Sequence, residues 1–397
     1  MSKQSLHGRE AEAAATSRFD GIDLLRGLSI VAVILLHAQI RLLFTDSLLT
    51  QATQAPFSSR VFHLLFRNGG TGVTVFFAIS GFLITFTSLR RFGSLSKMRA
   101  AAFYRIRFAR IAPLLLLLLA ALSALHLANA DGFRINPARG TLPRALLAAL
   151  TFHVNWYEAV HGYLPANWDV LWSLSIEEMF YLFFPLACVL FFRRQRGMPV
   201  FVLVLLGFVA MGPFARTIWS FNPIWQGTSY LGGMSGIALG CLTALLTDLL
   251  LRAKPRWMND RVLLAVEIAG AAIMLVVVVW PPWHWVNVMG HSGTDDTALG
   301  VGTCLVMLAT VLRGRAGRAW TAPIRWFGRH SYEVYLTHEF LVVWMTTAYV
   351  KVQWGSPLAW IAAEVALAAG LGATVARGFS EPMNKWLRGA APPSNHS

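Results

Sequence analysis

The chain has 397 residues, of which 56% belong to the apolar set AVILMFWYC and only 13% are charged. A soluble domain carries about 25% charged residues and less apolar material, so the composition excludes an ordinary soluble fold and implies a polytopic membrane protein. The formal net charge of +15 would suit a nucleic-acid binder, but the basic residues gather between apolar runs, where they act as topology signals, and nucleic acid is not needed to explain them.

The expected architecture is an all-α bundle. Residues 1–19 and 381–397 are polar tails flanking one transmembrane domain at 20–380. The first apolar run exceeds the apolar length of a signal peptide and lacks a small-residue cleavage site, so it is expected to be retained. Runs able to cross about 30 Å of hydrocarbon lie at 22–44, 69–89, 111–130, 172–192, 198–216, 228–251, 262–280, 298–312, 327–350 and 358–379. The stretch at 142–156 is too short, and is expected to form a half-helix or re-entrant piece. With ten crossings both termini are cytoplasmic and 24 of the 34 Lys and Arg fall on the inside. An eleventh crossing at 142–156 would move three basic loops outside, against the positive-inside rule.

Along the chain, the first polar groups inside a span are Arg26 and His37, eleven residues apart. That spacing puts them on one helix face, about 16 Å apart along the axis. Arg26 alone could be a snorkelling side chain, and His37 alone could make an interhelical hydrogen bond. Both on one face point to a groove, since intramembrane ionisable groups mark substrate or proton paths. Before the third span, Arg107 and Arg110 stand at i,i+3, a fork suited to phosphate, although basic juxtamembrane runs also arise as topology signals alone.

At the start of the fourth span, Asp169, Glu177 and Glu178 enter an aromatic helix. Trp168, Trp172 and Tyr181 have the placement of an interfacial aromatic belt. A belt does not explain the two glutamates, one of which must point inward. In the ninth span His338 is a further intramembrane imidazole. Glu267 and Glu364 carry no assignment beyond helix–helix hydrogen bonding. Cys188, Cys241 and Cys304 lie far apart in apolar runs, with no metal or disulfide spacing; no metal is expected.

Five stretches, "FDGIDLLRGLSIVAVILLH", "GVTVFFAISGFLI", "FYRIRFARIAP", "WSLSIEEMFYLFFP" and "GRHSYEVYLTH", together resemble the membrane-bound acyltransferase-3 family, the O-acetylases of lipopolysaccharide, Nod factors, other glycans and macrolides. With the closing "EPMNKWLR", the resemblance covers nearly the whole chain. It implies an enzyme of the bacterial inner membrane that moves an acyl group, usually acetyl, from acyl-CoA to a hydroxyl. The acceptor would be a cell-envelope glycan, a lipid-linked sugar or a macrolide-like molecule, with membrane lipid around the bundle. By position, Arg26 and His37 match the family's basic-x10-His signature, and Arg107 and Arg110 its Arg-x-x-Arg pair. Glu177 and Glu178 match its acidic pair, and His338 the histidine of its "YLxH" segment.

From these matches the expected roles are Arg26, Arg107 and Arg110 on the donor's phosphates, and His37 as general base. Glu177 or Glu178 would orient the imidazole. His338, Trp172 and Asp169 would meet the acceptor. Some family members fuse a hydrolase-like domain; this chain has no room for one, so the membrane unit is expected to act alone or with a partner from the envelope-glycan machinery. The same intramembrane charges would also suit a secondary transporter or flippase, but no inverted repeat or paired broken helices are evident. A scaffold without chemistry would have no use for them.

Overall fold

A chain this apolar must satisfy its backbone polar groups internally, and in lipid the helix is the form that does so segment by segment. The computed structural model describes residues 19–45, 69–192, 197–279 and 293–389, and among these there is no strand. The tail residues 1–18 and 390–397, and the arginines at 193–196, lie outside the described residues. The long helices are α1 (Asp20–Thr45), α2 (Gly69–Phe92), α3 (Ala100–Leu127), α6 (Leu171–Phe192), α7 (Gly197–Arg216) and α9 (Tyr230–Ala253), followed by α10 (Asp260–Val279), α11 (Thr294–Arg313), α13 (Ser331–Val352) and α14 (Pro357–Val375). They correspond one for one to the ten expected spans.

Among the described residues nine helical segments are long and apolar enough to cross a membrane. The remaining long helix, α13, has 22 residues, enough to cross, but carries Glu333, His338, Glu339 and Lys351. Its polar groups are buried against its neighbours: Glu333 is 1% exposed and His338 fully buried. The stretch at 142–156 does not cross. It forms α4 (Leu142–Leu150) and the start of α5 (Val154–His161), both far short of the length a bilayer needs.

Three short helices complete the set: α8 (Pro223–Thr228), α12 (Ala322–Arg329) and α15 (Glu381–Arg388). The last lies at the start of the segment expected as the C-terminal tail. Helix α15 packs on α3, with Lys385, Arg388 and the 73%-exposed Trp386 on it, the composition of an interfacial amphipathic helix.

Helix α2 is the centre of the bundle, packed against α1, α9 and α11. Its crossing with α9 depends on two glycines: a Cβ on Gly81 would overlap the carbonyl of Ile237, and one on Gly240 the carbonyl of Ala78. Small residues allow this approach. Helices α1 and α13 run side by side in the same direction, because Arg26 meets Ser331 and, further along both, His37 meets His338. This parallel pair, facing α2, α3 and α6, positions the site.

Candidate functional site

Helix α1 presents Arg26 and His37 to two different cavities, where their common face predicts a single groove. Arg26 lines a cavity of about 310 Å³ together with Arg107, Arg110, Glu177 and Tyr181. His37 lines a larger one of about 970 Å³, with Arg41, Asp169, Trp172 and Glu339. Val73 and Phe77 line both, so these two α2 side chains form the partition. A third cavity, of about 440 Å³, shares Thr87 and Arg107 with the Arg26 cavity and is lined by Phe19, Phe86, Arg90, Arg91 and Phe103. The three lie in series, from the Arg90–Arg91 end of the bundle to the His37 end.

The series begins in positive charge. Arg388, brought by α15, is within electrostatic reach of Arg91, Arg107 and Arg110. Arg107 stands over the rings of Tyr181 and Phe103, at 5.0 and 5.8 Å, cation–π distances. Arg110, expected with Arg107 on the donor's phosphates, is ion-paired with Glu333 of α13 at 3.0 Å, with a second contact at 3.4 Å. Arg26 donates to Ser331 Oγ at 2.7 Å. Arg90, Arg91 and Arg388, which the sequence presents only as topology signals or tail residues, gather at this end.

Of the two glutamates on α6, Glu177 lines the Arg26 cavity, and its Oε2 accepts from the Tyr181 hydroxyl at 3.1 Å. Tyr181 in turn receives the Ser80 hydroxyl at 2.6 Å. Glu178 has a buried Oε1 without a hydrogen-bond partner among the described residues. Neither glutamate reaches His37, which corrects the expectation that one of them orients the imidazole: both sit on the Arg26 side of the Phe77 partition. The aromatic-belt reading also changes. Trp168 is fully buried and Tyr181 is 7% exposed, because both point into the bundle. Trp172 packs edge-on against Phe77 at 6.1 Å and faces the His37 cavity.

The carboxylate beside His37 is Glu339, with Oε1 3.2 Å from Nδ1. His338 Nε2 lies 2.7 Å from the same Nδ1, and the two rings stack. Proton positions follow from the partners. His338 Nδ1 is 2.8 Å from the Tyr335 carbonyl and 3.3 Å from that of Val334. Carbonyls only accept, so Nδ1 of His338 carries the hydrogen and its Nε2 offers a lone pair. His37 Nδ1 must then donate to it. The chain leaves His37 Nε2 unprotonated, the form a general base needs. Arg41 Nη2 lies 3.5 Å from the other oxygen of Glu339.

His37, His338 and Glu339 are also close enough together to be considered as cation ligands. The 2.7 Å separation of the two imidazole nitrogens is that of a hydrogen bond, whereas two nitrogens on one tetrahedral zinc stand about 3.3 Å apart. The sequence pattern assigns no role to Glu333 or Glu339, although Glu333 lies in the "GRHSYEVYLTH" stretch and Glu339 directly follows it. The available signal was that both are acids in a span, Glu339 adjacent to a histidine. The other intramembrane acids differ in kind: Glu267 pairs with Arg313, while Glu364 is 3% exposed with Oε1 unpartnered among the described residues.

Residues 19–374 match the family described as "Acyltransferase domain". Among curated proteins, the chain is 23% identical over 353 residues to the O-acetyltransferase OatA of Staphylococcus aureus, an alignment covering 84% of this chain and 52% of that protein. The peptidoglycan O-acetyltransferase OatA of Listeria monocytogenes is 23% identical over 316 residues, covering 73% and 48% respectively. The chain thus spans about half the length of these relatives. No solved structure matches it.

Proposed function

The chain belongs to the acyltransferase-3 family, and from that premise we propose that it is an O-acyltransferase of the bacterial inner membrane, carrying an acetyl group from cytoplasmic acetyl-CoA to a hydroxyl of a cell-envelope glycan. The observation that carries the reading is the series of three cavities, with a cluster of arginines at one end and an oriented imidazole at the other. Acetyl-CoA has the matching shape: a phosphorylated nucleotide followed by a long uncharged arm that ends in the thioester. Arg90, Arg91, Arg107 and Arg388 would hold the phosphates, with the aromatic rings of the first cavity against the base. The arm would lie in the Arg26 cavity and bring the thioester to the Phe77 partition.

On the far side His37 Nε2 takes the proton of the acceptor hydroxyl as its oxygen attacks the thioester carbonyl carbon. The tetrahedral intermediate collapses, the C–S bond breaks, and the imidazolium returns the proton to the departing thiolate. The products are the ester and free CoA thiol, with no net proton change. Glu339 stabilises the transient imidazolium and His338 fixes the ring, the division of labour found where a base is oriented by further groups. A glycan acceptor is supported by the relatives' O-acetyltransferase and peptidoglycan O-acetyltransferase names.

The test is transfer of radiolabel from acetyl-CoA to peptidoglycan-type oligosaccharides by the purified protein in liposomes, with wild type and His37→Ala compared. Label on the acceptor with wild type alone supports the reading. Wild-type rates in His37→Ala, with normal membrane insertion, would sink the mechanism. Movement of unmodified acceptor across the bilayer would point to a transporter.

A further inference from the structure

The proposed reaction leaves the acceptor's chemistry open beyond a hydroxyl, and the charges around the His37 cavity narrow it. Four arginines line that cavity, Arg41, Arg134, Arg139 and Arg216, against three acids, Asp169, Asp296 and Glu339. Asp296 is taken by Arg216 at 3.0 Å and by the Thr74 hydroxyl at 2.5 Å. Glu339 is taken by His37 and Arg41. Asp169 lies against the buried carboxyl of Glu158. Among the described residues no carboxylate stands within ion-pair distance of Arg134 or Arg139.

The segment that carries these two arginines is held firmly. Phe133 is fully buried and stacks on Phe340 at 5.6 Å, and Ile135 is 2% exposed, its N–H donating to His126 Nδ1 at 3.1 Å. Alternation then turns Arg134 outward between two buried neighbours. Arg139 is fixed at both ends: its carbonyl accepts from Tyr157 at 2.9 Å, and its Nη1 donates to the Tyr163 carbonyl at 2.7 Å. Two guanidiniums on the wall of a concavity, neither in an ion pair among the described residues, raise the local positive potential. They match the oxygens of a carboxylate or phosphate.

We infer that the acceptor carries an anionic group, a carboxylate or a phosphate, which Arg134 and Arg139 bind while the hydroxyl to be acylated reaches His37. The inference rests on the acyltransferase reading and on His37 marking the acceptor side.

Three acceptors test it with the full-length protein in liposomes and labelled acetyl-CoA: a carboxylate-bearing amino-sugar oligosaccharide, the same oligosaccharide after carboxyl reduction, and a polyprenyl-phosphate-linked sugar. The expected result is a kcat/KM about tenfold or more higher for at least one anionic acceptor than for the reduced one, carried mainly by KM. Whichever of the two anionic acceptors is preferred identifies the source of the charge. In Arg134→Gln/Arg139→Gln that preference should fall about tenfold and become less sensitive to salt. Arg134→Gln alone, which removes no contact of the segment, should lower it in the same direction if the double variant folds poorly. Equal kcat/KM for anionic and reduced acceptors, or a preference that survives both variants, overturns this inference and leaves the acyltransferase reading standing. Transfer to none of the three overturns both.

Discussion

At His37 the chemistry turns on which ring nitrogen holds the proton, and that is decided two residues away. The carbonyl of Tyr335 fixes the hydrogen on His338 Nδ1, His338 Nε2 fixes the hydrogen on His37 Nδ1, and His37 Nε2 is left with the lone pair that the proposed base requires. His37→Ala should lower acyl transfer by about 10²–10⁴-fold, the range of a lost general base, measured as label on the acceptor at saturating donor. Glu339→Gln keeps the shape and removes the charge. It should lower kcat by about tenfold or more with little change in donor KM, because it acts on the imidazolium and not on the nucleotide end. Glu333→Gln is expected to do the reverse. It frees Arg110 from a 3.0 Å ion pair at the donor end, so donor KM should change with kcat nearly kept. Steady-state kinetics with varied acetyl-CoA separates the two.

At the scale of elements, the contact of α2 with α9 carries the bundle, since α2 also forms the partition between the cavities. Gly240→Val places a branched side chain against the Ala78 carbonyl. It should cost several kcal/mol of stability, read as a lower unfolding temperature in detergent. The short helix α5 supplies a pH prediction. Glu158 is fully buried; burial first, and then the neighbouring Asp169, push its carboxyl well above the usual carboxylate range, against an N–H from Leu164 and the charge of Arg139. A carboxyl raised on folding contributes stability that is present in full below its unfolded value and is lost as pH rises through its folded one. Glu158→Gln should therefore unfold at a higher temperature than wild type in alkaline buffer, with the difference vanishing in mildly acidic buffer. Thermal unfolding across pH checks it.

At the scale of the whole molecule, the serial cavities give the proposed reaction distinct donor and acceptor ends. In sealed vesicles of known orientation, acetyl-CoA should support transfer only from the side that carries Arg90, Arg91 and Arg388. Equal rates from both sides would contradict the serial arrangement. The same arrangement accounts for Arg26, His37 and Arg41 on α1 and for Glu333 and Glu339 on α13, each of which lies on a cavity wall or in an ion pair.

The long helices were legible because hydrophobic runs answer to a single requirement, the thickness of the bilayer, which is read along the chain without knowing any neighbour. Arg26 and His37 were legible for a similar reason, since eleven residues return a helix to nearly the same face whatever packs against it. Even α13, more polar than its companions, was found from its apolar run, though not the burial of its acids. What the sequence could not decide is which helix meets which. Glu177 and Glu178 looked as good a partner for His37 as any acid, and only the packing of α13 along α1 put Glu339 there. The ion pair of Arg110 with Glu333, the inward turn of Trp168, and the return of Arg388 to the arginine cluster have the same origin. Each depends on contacts between segments hundreds or tens of residues apart, and the pattern of a single helix holds no record of them.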